Sequence, residues 1–163
     1  MHFPMIDLIF AIKFVHIVAA AAMFGTWLGV ALFMRLAHRS GNVSVVALTA
    51  QFAVRIEKTV MIAALALQPI SGFPLAWAIG YSPLDEFWIA LSLAIYAVVV
   101  AVWVVVLRIE IRIRDLTKEA ALAVVPLPKT YPRLYRFYSA LVWPALAAMV
   151  VLFLLMVWQP RPA

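Results

Sequence analysis

The sequence contains no cysteine, and this absence excludes several kinds of site at the outset. Disulfide bridges, thiolate zinc sites, cysteine-held iron–sulfur clusters and covalently attached haem c all need that residue. Charge is scarce as well, because only 12% of the 163 residues are Asp, Glu, Lys or Arg. A soluble domain has about twice that share. With 67% hydrophobic residues, the composition is typical of a membrane protein.

Four long apolar runs account for most of the chain. Each has about 20 residues, which as a helix crosses a hydrocarbon core of roughly 30 Å. The runs are continuous rather than alternating in polarity, which excludes a transmembrane β-barrel. The sequence therefore predicts an all-α, polytopic membrane protein with a single domain over residues 1–163. Its four-transmembrane-helix bundle has spans at about 14–34, 60–79, 87–107 and 139–158.

The basic residues are distributed unevenly between the two ends of these spans. Eleven of the thirteen Lys and Arg residues lie between spans one and two or between spans three and four. The connection between spans two and three carries only Asp85 and Glu86. The positive-inside rule then predicts that this basic side is cytoplasmic and that both termini lie on the outer side. We expect the membrane to be the bacterial cytoplasmic (inner) membrane, which the family resemblance given below implies. The net charge of +6 is thus a topology signal and a lipid-headgroup contact, and it does not indicate nucleic-acid binding.

His16 is the only acidic, basic or histidine side chain inside the four runs. A titratable group in hydrocarbon is energetically costly, so it usually faces the bundle interior and often marks a functional site. Two interpretations follow. His16 could hold a cofactor or a proton, or it could form a structural hydrogen bond to Gln68, Ser71, Tyr96 or a backbone carbonyl.

Helix rise gives the depth of His16 and so its candidate neighbours. It lies 19 residues from Arg35, roughly 28 Å along a helix. The same count from Lys58 along span two reaches Trp77, and the count along span four ends beside Met156, the one soft metal ligand at this depth.

A cofactor site follows from this depth. The predicted cofactor-binding residues are His16, Met156, Trp77 and Gln68, with His16 as the metal ligand. A second histidine is out of reach, since His38 lies roughly 33 Å from His16 along a helix.

Two further patterns concern helix packing. Gly25 and Gly29 form a small-residue ridge opposite His16, which favours packing within the bundle over dimerisation. Pro69 and Pro74 predict a kinked or locally opened second span, either as a structural bend or as room for a cofactor. The amide of Gln68 is placed to satisfy backbone groups that the prolines free.

Two glutamates flank the spans at their basic ends. Glu57 is expected to form an ion pair with a nearby base. Glu110 and Arg114 have the i,i+4 spacing of a helical pair, so span three is predicted to continue as a helix through residues 108–114.

Several motifs together resemble a bacterial family of predicted integral membrane proteins of unknown function, DUF2269. Their order and spacing cover nearly the whole chain. They are Lys13-Phe14-Val15-His16, the Gly25/Trp27/Gly29 cluster, Gln68-Pro69-Ile70-Ser71-Gly72, Tyr131-Pro132-Arg133-Leu134-Tyr135-Arg136 and Leu155-Met156-Val157-Trp158-Gln159-Pro160.

More distantly, the layout is similar to the four-span protoporphyrinogen oxidase of the haem pathway and to copper-resistance D membrane proteins. In the oxidase family, a span-one histidine is thought to ligate haem b beside a lysine early in span three. His16 matches the histidine, but residues 88–93 contain no lysine. The resemblance implies haem b binding by analogy and leaves open whether the chain is an enzyme.

Three hypotheses of function follow. The first is a redox or electron-transfer protein that binds haem b through His16. The second is a non-catalytic scaffold or accessory subunit, with a membrane-protein partner or a second copy of the chain. The third is a small copper-related transporter, in which Met1, His2 and Met5 could bind the metal.

Overall fold

The computed structural model describes residues 3–82 and 85–160, with side chains from residue 6 onward. These residues form five α-helices and no strand, so the all-α prediction is confirmed. The helices are α1 (Phe3–Ser40), α2 (Val43–Ile56), α3 (Ile62–Ala78), α4 (Phe87–Leu122) and α5 (Tyr131–Trp158). A π-helical turn, Glu57–Met61, joins α2 to α3 without a break.

Four helical stretches are long and apolar enough to cross a membrane, as the sequence predicts. The α2–α3 path counts as one of them, because it runs continuously over Val43–Ala78. Large apolar side chains cover the outside of the bundle: Phe14 is 68% exposed and Phe33 is 66% exposed. Such a surface fits a lipid bilayer, because a soluble monomer rarely exposes large contiguous apolar patches.

Local sequence explains where the helices begin and end. Gly41 adopts a left-handed conformation with φ of 63° and terminates α1. Asn42 then caps α2, since its side-chain oxygen accepts hydrogen bonds from the backbone N–H groups of Ser44 and Val45 at 2.9 and 3.2 Å. Pro69 and Pro74 lie inside α3, which stays helical through both of them.

The helix α4 continues far beyond the apolar run that begins it. It extends through residues 108–114 to Leu122, which confirms the predicted helical extension. Along its length α4 packs against both α2 and α5. The end of the bundle where α1 ends, α2 begins, α4 ends and α5 begins is called the basic end, because most Lys and Arg residues lie there.

The two predicted ion pairs at the basic end are wrong. Glu57 and Glu110 are both fully buried, and neither forms an ion pair with a described residue. Arg114 instead contacts the neighbouring Asp115 at 2.8 Å. The physical reason is orientation: Glu110 faces the bundle interior, whereas Arg114 and Asp115 are partly or fully exposed.

The glycine ridge of α1 also differs from the prediction. A Cβ atom added at Gly25 or Gly29 would find no heavy atom within 4 Å. No described helix therefore packs closely against this ridge, and the expectation of packing within the bundle is wrong. The core lies on other faces of α1, around Trp27, which is fully buried.

Candidate functional site

A cavity of about 880 Å³ lies between the helix pair α1–α3 and the helix pair α4–α5. It occupies the half of the bundle away from the basic end. Its volume is in the range of sites for small molecules and cofactors, roughly 300–1,000 Å³. Apolar and aromatic side chains form most of its wall. The polar side chains on the wall are Lys13, His16, Gln68, Ser92, Tyr96 and Gln159.

The side chain of His16 lies on this wall and is held by α3. Its Nδ1 is 2.9 Å from Ser71 Oγ, and its backbone oxygen accepts a hydrogen bond from Gln68 Nε2 at 3.2 Å. Ser71 is one of the hydrogen-bond partners that the sequence analysis allowed for His16. Both partners come from the Gln68–Gly72 motif, so this motif fixes the depth and the orientation of the histidine.

The hydrogen bonds of Ser71 determine the tautomer of His16. A serine hydroxyl has one proton to donate, and Ser71 Oγ donates it to the backbone oxygen of Leu67 at 2.5 Å. Ser71 must then accept the hydrogen bond from His16, which places the imidazole proton on Nδ1. In the neutral ring, Nε2 keeps its lone pair. No described residue forms a hydrogen bond to Nε2, so this nitrogen is available as a ligand.

Gly72 gives the imidazole its room. A Cβ atom built at Gly72 would lie 3.0 Å from His16 Cε1 and 3.5 Å from His16 Nδ1. Almost any side chain at this position would push against the ring. The glycine is therefore required by the close approach of the histidine and not by an unusual backbone conformation.

Replacing Gly72 by alanine is expected to shift the His16 ring and weaken its hydrogen bond to Ser71. Crowding of this kind typically destabilises a protein by roughly 1–3 kcal/mol. The matched control is Gly25→Ala, the same substitution at a position with open space, which should be neutral or slightly stabilising. Thermal unfolding of the purified variants in detergent measures both. Equal melting temperatures for the two variants would contradict the tight contact.

Of the other predicted cofactor-binding residues, two line the cavity and one does not. Met156 lines the cavity, as does Gln68. Trp77 does not line it; the indole is 66% exposed and lies against Phe73 with ring centroids 6.3 Å apart. The cavity also has Met149, a buried thioether that sequence reasoning missed. A single Met in an apolar run has no distinguishing signal until the packing of α5 is known.

The position of Trp77 has a simple geometric cause. The count from Lys58 assumes that this lysine lies at the same depth as Arg35. Ser71, the residue that contacts His16, is only 13 positions after Lys58, roughly 20 Å along a helix. Lys58 is therefore several ångströms deeper in the bundle than Arg35, and Trp77 lies more than one helical turn beyond the level of His16.

Metal ligation at this site would depend on few side chains. Among the described side chains, no group of three or more His, Cys, Asp or Glu residues could hold a metal ion together. The candidate copper ligands Met1, His2 and Met5 lie outside the described side chains. Any metal held at His16 would therefore need further ligands of other kinds.

Comparisons with known proteins bear on the family and not on the chemistry. No curated protein matches this chain, and no solved structure matches it. One family profile, described as a predicted integral membrane protein (DUF2269), matches residues 10–160. The matched segment includes His16, the Gln68–Gly72 motif and the helices that form the cavity. The chain therefore belongs to the DUF2269 family of integral membrane proteins.

Proposed function

We propose that this protein binds haem b in the cavity beside His16 and serves in electron transfer within the membrane. The observation that carries the proposal is the fixed orientation of His16. Its Nδ1–H is donated to Ser71, which leaves Nε2 free on the wall of an apolar cavity of about 880 Å³. A metal-bound histidine usually has this arrangement, in which the second ring nitrogen donates to an oxygen that fixes the tautomer.

The cavity wall fits a porphyrin in its chemistry. A porphyrin is flat and largely apolar, and the wall is largely apolar and aromatic, with Trp88 and Phe73 among its members. Met149 and Met156 also line the cavity, and their thioether sulfurs could hold haem iron together with His16, as methionine and histidine do in cytochromes. Lys13 lies on the wall about one helical turn from His16, where its ammonium group could pair with a propionate carboxylate.

The residues of the chain have distinct roles in this proposal. His16 Nε2 would hold the iron through its lone pair, and Ser71 keeps the ring in the tautomer that allows this. The apolar wall excludes water, which raises the energy of added charge and so influences the reduction potential. Bound haem b supplies one-electron chemistry between two oxidation states of iron.

Titration of haem into the purified wild-type protein in nanodiscs tests the proposal. A shifted Soret band that saturates at one haem per chain is the expected result. Haem that partitions into empty nanodiscs to the same extent, with no saturation, would contradict it. In that case the second hypothesis, a non-catalytic accessory subunit, becomes the better explanation of the chain.

A further inference from the structure

Four side chains form a second polar site, distant from the cavity and from His16. They are called the carboxylate cluster and consist of Glu57 in the π-helical turn, Trp103 and Glu110 on α4, and Tyr138 on α5. Glu57 and Glu110 are both 0% exposed, and Tyr138 is buried as well. Trp103 Nε1 donates a hydrogen bond to Glu57 Oε2.

Most polar atoms of the carboxylate cluster are unpaired. Glu57 Oε1, both carboxylate oxygens of Glu110 and the hydroxyl of Tyr138 have no hydrogen-bond partner among the described residues. Tyr138 lies close enough to Glu110 for the two to interact electrostatically, but without a hydrogen bond of ordinary geometry. Buried polar groups are nearly always satisfied, so four unpaired oxygens in one place point to a bound species.

Among the described residues, no cationic side chain forms an ion pair with the cluster. The ion pair Arg114–Asp115 is the only one among the described residues. The groups that face Glu110 are Glu57 and Tyr138, and the hydroxyl of Tyr138 is faced in turn by Tyr135. These groups are all acidic or neutral. The cations Arg35 and Arg39 face Tyr135 and not the two carboxyl groups. Two neighbouring carboxylates cannot both stay ionised in a low-dielectric interior, and one proton relieves their repulsion.

The cluster lies well inside the bundle. His38 Nδ1 is 3.1 Å from the hydroxyl of Tyr131, which sets these two residues at one level. Tyr138 is seven positions further along α5, roughly 10 Å deeper. Seven positions back from His38 along α1, the same distance, is Ala31, which lies within the apolar run of that helix. An acidic group at such a depth is expensive unless it is neutralised, and it usually belongs to an ion or proton site.

We propose that Glu57 and Glu110 form an internal proton-binding site, in which at least one of the two carboxyl groups is protonated at neutral pH. A proton fits the ligand set better than a divalent metal. Ca²⁺ takes six to eight oxygen ligands and Mg²⁺ six. The cluster offers three free carboxylate oxygens and one hydroxyl. A single proton needs only one donor oxygen and one acceptor oxygen.

A row of aromatic side chains connects the cluster to the basic end. Tyr138, Tyr135 and Tyr131 share one face of α5, with neighbouring ring centroids 5.9 and 6.2 Å apart. His38 stacks on Tyr135 at 3.7 Å and contacts the hydroxyl of Tyr131. Among the described residues no hydrogen bond joins Tyr138, Tyr135 and Tyr131, so the row lies between the cluster and the basic end without forming a hydrogen-bonded path for the proton.

Infrared spectroscopy of the wild-type protein tests the proton directly. At pH 7 the carbonyl band of a protonated carboxylic acid is expected in the wild type. It should be lost or shifted in Glu110→Gln and kept in Glu119→Gln, the same substitution at an exposed position of α4. Absence of the band from the wild type at pH 7 would overturn the proposal.

Thermal unfolding across pH supplies a second readout with the same variants. The folded protein holds a proton that the unfolded chain releases above about pH 4.3, so stability must fall as pH rises. We expect the wild-type melting temperature to fall by about 5 °C or more between pH 5 and pH 8.

The variants show whether this fall in melting temperature comes from the carboxylate cluster or from the titration of other groups. Glu110→Gln should flatten the profile, and Glu119→Gln should keep it. Parallel wild-type and Glu110→Gln profiles would contradict the proposal. So would a melting temperature raised by Mg²⁺ or Mn²⁺ in the wild type alone, since that would indicate a metal in place of the proton.

Discussion

Replacing His16 by alanine is expected to abolish the Soret band of the haem-loaded protein. The variant loses the nitrogen that would ligate the iron, and no second histidine of the described chain is near the cavity. Ser71→Ala should have a smaller effect, a loss of roughly 10- to 100-fold in haem affinity, because it removes only the oxygen that orients the ring. Absorption titrations in nanodiscs measure both variants.

The matched control for this experiment is His38→Ala. His38 lies on the same helix and is half-buried, but it stacks on Tyr135 at the basic end. Its removal should leave the Soret band and the haem stoichiometry unchanged. Equal loss of the band in both variants would indicate a general effect on folding, and an unchanged band in His16→Ala would contradict the assigned ligand.

Truncation of Trp27 is expected to produce the largest loss of stability. Its indole is 0% exposed and lies in the main apolar core. Removing a side chain of this size from a packed interior costs roughly 3–5 kcal/mol, because the surrounding residues cannot fill the space. Trp27→Ala should therefore lower the thermal unfolding temperature markedly.

Trp77→Ala is the matched control for Trp27→Ala, because it makes the same substitution at an exposed position. The indole of Trp77 is 66% exposed and contributes little to packing inside the chain. Its substitution should change the free energy of unfolding by no more than about 0.5 kcal/mol. If both variants unfolded at the same temperature, the assignment of Trp27 to the core would be wrong.

Much of the fold could be predicted from the sequence because membrane helices obey strict rules of length and polarity. The four spans follow from unbroken apolar runs, and the cap of α2 follows from Gly41 and Asn42. The contact between His16 and Ser71 could also be anticipated as one of a few options. A polar side chain in an apolar run must find a partner, and the runs contain few.

The carboxylate cluster could not be found in this way. Glu57 and Glu110 each lie three residues outside an apolar run, where a glutamate usually meets water and headgroups. Sequence gives the depth of a residue along its own helix, but it does not give the rotation of that helix or the level at which a neighbour begins. The continuous α2–α3 path carries Glu57 inward, and the rotation of α4 turns Glu110 towards Tyr138.

The unknown rotation and relative level of the helices also explain why the sequence did not give the correct residues around the cavity. Trp77 was expected near His16 from a count that treats Lys58 as a marker of the membrane boundary. The structure instead brings Ser71 and Gly72 to that level. Met149 lies on the cavity wall because of the way α5 packs, and no motif in the sequence indicates this packing.

Chemical rescue of a His16→Gly variant tests the central claim most directly. This substitution removes the imidazole from the cavity wall and leaves space for a free imidazole molecule. We predict that the purified variant shows no Soret band with haem alone and regains the band when imidazole is added. Retention of the band without imidazole, or failure of imidazole to restore it in a folded variant, would contradict the assignment of His16 as the haem ligand.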